Sequence, residues 1–220
     1  MYIIILGGGE VGYYLCKELI NMGHEVLLIE KDAKKCELLK GELGCVSLCG
    51  DGCEMTVLTK AGIARADVFI AVTDEDDDNL AAAQIAKQKF NVPHVIARVN
   101  NPKDERIFAK LGIEHTINAA ALILENIKAH MAIFPLVRLL SLKEKGLEIV
   151  LVKITGDPVA GKKMGEVALP AGSVVCLLIR QGQEESRVPG PDIVLAAGDQ
   201  LICLIPSGTE ESLQAMLNGS

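Results

Sequence analysis

The sequence predicts an α/β fold, a Rossmann-type doubly wound parallel sheet followed by a second, smaller strand-rich α+β domain. Three observations predict it. Short apolar runs alternate with helical stretches of about 10 to 15 residues through the first half of the chain. A Gly-x-Gly-x-x-Gly motif separates the first apolar run from the first helical stretch. Beyond residue 143 the alternation gives way to closely spaced strands broken by turn signals.

Taken in order, the run 2–6 is continuously apolar and isoleucine-rich, as suits a strand buried on both faces of a parallel sheet. Val11, Leu15, Leu19 and Met22 then repeat at helical spacing, and Gly23 ends that helix. Strands are expected at 25–30, 45–49, 68–72, 95–99 and 116–117, with helices at 33–42, 54–61, 79–90 and 103–111 between them. Strands joined in this way need right-handed crossovers, which makes them parallel. Residues 119–142 read as helical, with Pro135 kinking or dividing the helix because it lacks an amide proton. The apolar residues there (Leu122, Ile123, Ile127, Met131, Ile133, Phe134, Leu136, Leu139, Leu140) exceed what one monomer is expected to bury; packing on its own domain and dimer formation both account for them. Strands at 148–154, 174–180 and 200–205 and a helix at 210–217 complete the chain. The expected domains are 1–118, a connecting and dimerising segment 119–143, and 144–220.

With 220 residues, half of them apolar, the chain can bury a substantial core. A net charge of −7 and the lack of a basic stripe argue against nucleic acid as a partner. No apolar run approaches the roughly 20 residues that cross a bilayer, and the first run lacks the basic start of a secretory signal, so a cytoplasmic protein is expected. Seven cysteines, at 16, 36, 45, 49, 53, 176 and 203, are expected to be free thiols in a reducing compartment. Cys45, Cys49 and Cys53 recur every fourth residue, which fits buried or loop thiols or a metal site that no neighbouring histidine completes.

The chemistry concentrates at strand ends. Gly7 permits the tight turn, Gly9 lets backbone approach a pyrophosphate, and Gly12 lets the helix pack closely; Gly8, Glu10 and Val11 complete the turn and present helix amides to an anion. Glu30, eighteen residues after Gly12, is placed to accept both ribose hydroxyls, with Lys31 beside it. A carboxylate there repels a 2′-phosphate, so NAD(H) or an adenosine nucleotide is expected rather than NADP. Gly50, Asp51 and Gly52 follow the third strand, Thr73 and Asp74 the fourth, and Arg98 lies in the fifth; adenosine contacts for Asp51 and phosphate contacts for Arg98 compete with plain turn or surface roles. The acidic run at 74–78, ahead of Asn79, fits a helix dipole better than a cation site. None of His24, His94, His115 and His130 has an identifiable catalytic partner, so no enzyme is expected.

With these residues, and with Ile96-Ala97-Arg98, Leu169-Pro170-x-Gly172 and Ala197-Gly198-Asp199-x-Leu201, the chain resembles the RCK or KTN family of potassium channel and transporter regulators, in particular one half of a Trk-type uptake regulator. The resemblance covers both domains in order. It implies a cytoplasmic, nucleotide-binding regulatory subunit of a membrane potassium transporter, dimeric and assembling further into a ring, with NAD(H) as ligand and ATP or ADP as the alternative. Arg98 and Asn100 stand where calcium-gated relatives carry carboxylates, which argues against calcium at Asp51. Glu10 stands where ATP-preferring relatives often carry arginine, which favours NAD(H) or ADP. One copy of the two-domain unit implies that a ring needs more chains. An NAD-dependent oxidoreductase and a free-standing sensor with another membrane partner are the competing readings.

Overall fold

Strand β1 (Tyr2–Leu6) is buried along its whole length. In the computed structural model, residues 1–43, 46–131, 134–142, 145–155, 158–180 and 188–219 are described. They form two units, Met1–Ala121 and Leu122–Ser220. The first contains, after β1, helix α1 (Glu10–Asn21), β2 (Glu25–Glu30), α2 (Ala33–Leu43), β3 (Ser47–Cys49), α3 (Met55–Lys60), β4 (Val68–Ala71), α4 (Asp76–Gln88), β5 (His94–Val99), α5 (Glu105–Lys110) and β6 (His115–Asn118).

The six strands lie in the order β3-β2-β1-β4-β5-β6, and every pairing is parallel. Successive side chains of a strand point to opposite faces. Ile4 and Leu6 therefore join a core with Phe69, Phe108 and the alanines Ala82, Ala83 and Ala86 of α4, while Ile3 and Ile5 join another with Cys16, Leu28, Leu39 and Ile70. Each fully buried large side chain contributes about 1.5–3 kcal/mol relative to exposure, so a strand apolar on both faces is held only where helices cover both. The order reverses between β1 and β4, and the carboxyl ends of those strands open the crevice where this architecture takes ligands.

Helix α6 (Ala119–His130) follows β6 and spans the boundary between the units. The second unit then has β7 (Leu136–Leu142), β8 (Leu147–Lys153), β9 (Val174–Ile179), β10 (Gln200–Pro206) and helix α7 (Glu210–Asn218). Its sheet is antiparallel, ordered β7-β8-β10-β9. Alternate residues Val150 and Val152 of β8 and Leu201, Cys203 and Ile205 of β10 meet Leu213 and Leu217, one turn apart on α7.

Residues 136–142, expected to be helical, are strand β7. Pro135 stands just ahead of it, where its missing amide is harmless, and its carbonyl accepts the Lys153 amide at 2.8 Å. Pairing with β8 overrides the helical preference of this leucine-rich stretch. Ile133 and Cys45 lie outside the described residues. Helix α4 begins at Asp76, three residues earlier than expected, so Asp76, Asp77 and Asp78 occupy its first turn, where the helix dipole favours them.

Candidate functional site

The turn after β1 is built by exclusion of side chains. Gly7 has φ +109°, and a Cβ on it would stand 3.0 Å from the Thr73 amide nitrogen. A Cβ on Gly12 would land on the Gly7 carbonyl oxygen, which fixes the close approach of α1 to the turn. A Cβ on Gly8 would meet Glu30 Oε2 at 2.8 Å. Gly9 caps α1 in extended conformation and faces open space. The first-turn amides of α1 have no carbonyl one turn back and point along the positive end of the helix dipole.

Glu30 ends β2 almost fully buried, and its carboxylate is held by backbone: Gly8 N donates to Oε2 and Asp32 N to Oε1, each at 2.8 Å. Each oxygen keeps a lone pair for a further donor. Lys31 pairs with Asp78 at 2.7 Å. After β3, the Asp51 Oδ1 accepts the Cys53 amide at 2.8 Å, and a Cβ on Gly50 would meet Val57 at 2.8 Å.

On the other side of β1, Asn79 is fully buried and ties two strand ends together. Its Oδ1 accepts from the Thr73 amide and hydroxyl, and its Nδ2 donates to the carbonyls of Thr73 and Arg98. Asp76 similarly accepts the amides of Asn100 and Asn101. Arg98 Nη1 reaches Asp74 at 3.1 Å, while its Nε is buried with no hydrogen-bond partner among the described residues. A buried guanidinium nitrogen without a partner carries a desolvation cost.

These elements enclose a cavity of about 470 Å³. Of the residues singled out in the sequence, Gly7, Gly9, Glu10, Val11, Glu30, Lys31, Asp51, Gly52, Thr73, Asp74 and Arg98 line it. Gly8, Gly12, Gly50 and Asn79 do not; they shape the walls from behind. Sequence reasoning missed Lys35, Cys53, Glu75 and Asp78, which also line it. Lys35 was legible as a cation just past β2, but Asp78 enters only through the pitch of α4. The Cys53 thiol is pushed up to about 12 by burial first, then by Asp78 and Asp51. Six carboxylates (Glu10, Glu30, Asp51, Asp74, Glu75, Asp78) face three cations (Lys31, Lys35, Arg98), so the wall is net acidic.

Among the described residues no three His, Cys, Asp or Glu side chains are grouped to hold a metal. The expectation of free thiols fails at one place: Cys36 and Cys49 are joined as a disulfide, because α2 brings Cys36 against the end of β3. Cys16, Cys53, Cys176 and Cys203 are free. None of His24, His94 and His115 lines the cavity, and His115 is engaged by a neighbour.

Two family patterns match the chain in the order of its two sheets, the TrkA-N domain over residues 3–119 and the TrkA-C domain over residues 148–218. The chain belongs to the TrkA family. It is 34% identical over 208 residues to the Trk system potassium uptake protein TrkA homolog of Methanothermobacter thermautotrophicus, covering 93% of this chain and 94% of that one. It is 34% identical to the homolog of Archaeoglobus fulgidus, spanning 96% of this chain but only 48% of that relative. Among solved structures, the GsuK channel bound to NAD superposes with a TM-score of 0.64 at 20% identity, over 99% of this TrkA-family chain and 39% of the channel. That likeness is one of fold.

Proposed function

We propose that this chain is a cytoplasmic, nucleotide-binding regulatory subunit that gates a membrane potassium transporter of the Trk type, with NAD(H) as its ligand. The observation that carries the reading is the cavity itself: the glycine turn at the start of α1, the buried carboxylate of Glu30 at the end of β2 and the Arg98 side chain all line one crevice. Membership of the TrkA family supports the potassium-transport context.

The residues fit a dinucleotide. The Glu10 and Val11 amides and the open face of Gly9 would take the pyrophosphate; Glu30, already fixed by two backbone donors, would accept the ribose hydroxyls; Arg98, which lines the cavity, would turn its guanidinium to the second phosphate or ribose. The acidic wall supports the choice of NAD(H). ATP and ADP, with a terminal phosphate, would bring more negative charge against six carboxylates than a dinucleotide does, so they are the alternatives rather than the first choice. When bound, the ligand supplies binding energy and no chemistry.

Regulation then needs only that the ligand bind two conformations with different affinity. The chain would self-associate as a dimer, and further copies would build a ring below the transporter. No helix among the described residues is long and apolar enough to cross a membrane, so its membrane attachment would run through the partner.

Calorimetric titration with NADH, NAD, ATP and ADP tests the site. NADH or NAD is expected to bind most tightly, and Glu30→Gln to weaken it at least tenfold, equivalent to about 1.4 kcal/mol. No heat with any of the four ligands would refute the site, and steady turnover of NADH with simple metabolites would refute the regulatory role.

A further inference from the structure

We propose that Cys36 and Cys49 are a reversible dithiol–disulfide site beside the segments that line the nucleotide crevice, and that closing the bond tightens nucleotide binding. The affinity claim rests on the function proposed above; the disulfide chemistry does not.

The pair is built into the neighbourhood of Glu30. Cys36, in the first turns of α2, is fully buried, whereas Cys49, the last residue of β3, is exposed. Their Cα atoms are 5.8 Å apart, within the ordinary span of a disulfide. Cys49 pairs in register with Glu30 across the β2–β3 ladder. The Glu30 carbonyl accepts the Gly50 amide at 2.9 Å and lies 3.2 Å from Cys36 Sγ. In the dithiol form that carbonyl is the acceptor for the Cys36 thiol; closing the bond replaces this weak hydrogen bond by a covalent tie between α2 and β3.

The chain that leaves Cys49 is the segment that lines the crevice through Asp51, Gly52 and Cys53. Fixing its first residue to α2 reduces the freedom that nucleotide binding must otherwise remove. In a reducing compartment a disulfide of this kind is transient and redox-responsive rather than a permanent framework.

The difference in exposure sets the order of events. The Cys49 thiolate attacks the S–S bond of a small disulfide such as oxidised glutathione, giving a mixed disulfide and releasing one thiol. Cys36 then attacks Cys49 Sγ and its proton passes to the departing small-molecule thiolate, which leaves as the second thiol. Two protein thiols are oxidised by two electrons, and the small disulfide is reduced to two thiols.

The test uses the whole chain, equilibrated with either oxidised glutathione or a dithiol reductant. Maleimide mass-tagging after denaturation should count two fewer of the seven thiols in the oxidised sample. Hydrogen exchange at residues 50–53 should slow on oxidation, and NADH affinity should rise several-fold. Cys49→Ser, altered at an exposed position, should show neither change. Seven free thiols after oxidation would overturn the proposal alone, as would equal exchange and equal affinity in the two states. Binding of NADH by neither state would overturn the choice of NAD(H) as ligand together with the affinity claim, while the thiol count and exchange rates would still decide the disulfide.

Discussion

At Gly12 the missing side chain is a structural requirement, since a Cβ would coincide with the Gly7 carbonyl oxygen. At Gly9 the space where a Cβ would stand is empty and the backbone is extended, which any residue adopts. The two glycines of one motif therefore separate by measurement. Gly12→Ala is expected to cost about 1–3 kcal/mol of stability, read as a lower urea midpoint, because α1 must move off the turn. Gly9→Ala is expected to leave stability within about 0.5 kcal/mol and to weaken NADH binding, because the methyl group occupies ligand space. The motif's spacing revealed the turn, but only the three-dimensional neighbours divide its glycines between fold and ligand. Asn79 illustrates the same limit: its position near the site was legible, yet its four hydrogen bonds to strand ends depend on β4 and β5 lying side by side. Cys36 and Cys49 are thirteen residues apart in sequence, and nothing in that spacing announces that α2 folds one against the other.

At the level of elements, the strands of the first unit were legible because burial on both faces makes them continuous apolar runs, a pattern that few other contexts produce. Strand β7 was not, since Leu136–Leu142 is mostly half-exposed or exposed and gains its conformation from β8. The same pair of strands and α7 carry a charge cluster that sequence periodicity also hides. Arg138 of β7 bridges Glu148 of β8 and Glu210 of α7, each at 2.6 Å. Burial raises the Glu148 pKa, reinforced by its hydrogen bond to Glu210. Burial also pushes Glu210 up, but hydrogen bonds from the Glu148 carboxyl, its own backbone and Arg138 outweigh this and leave it lowered. The raised folded value of Glu148 means that its contribution is fully present below the ordinary carboxylate value and is lost as pH rises through the raised one. Glu210 has the opposite sign, its contribution being lost as pH falls through its lowered value. Urea midpoints measured from about pH 4 to 8 should therefore lose, in Glu148→Gln, the decline that the unaltered chain shows on the alkaline side of the ordinary carboxylate value. An unchanged slope would place the pH dependence elsewhere.

For the whole molecule, alternation of strand and helix was enough to predict a parallel sheet, because crossovers leave little choice of handedness. The position of the second unit's first strand was not, because a leucine-rich segment following a helix carries no period that separates strand from helix. What the alternation cannot absorb is the apolar surface of α6. Leu122, Ile123, Leu124 and Ile127 are each at least half exposed on this one helix. Four large aliphatic side chains left to water on three turns are costly, at roughly 25 cal/mol per Å² of apolar surface, and their burial against a second copy would remove that cost. The chain is thus expected to be at least dimeric at micromolar concentration by light scattering. Replacing Ile123 and Ile127 together by glutamate should shift the mass towards the monomer without lowering NADH affinity, since neither residue lines the nucleotide cavity. A monomeric mass for the unaltered chain would leave the apolar face of α6 without the role given to it, and the ring below a transporter would then have to be assembled through another surface.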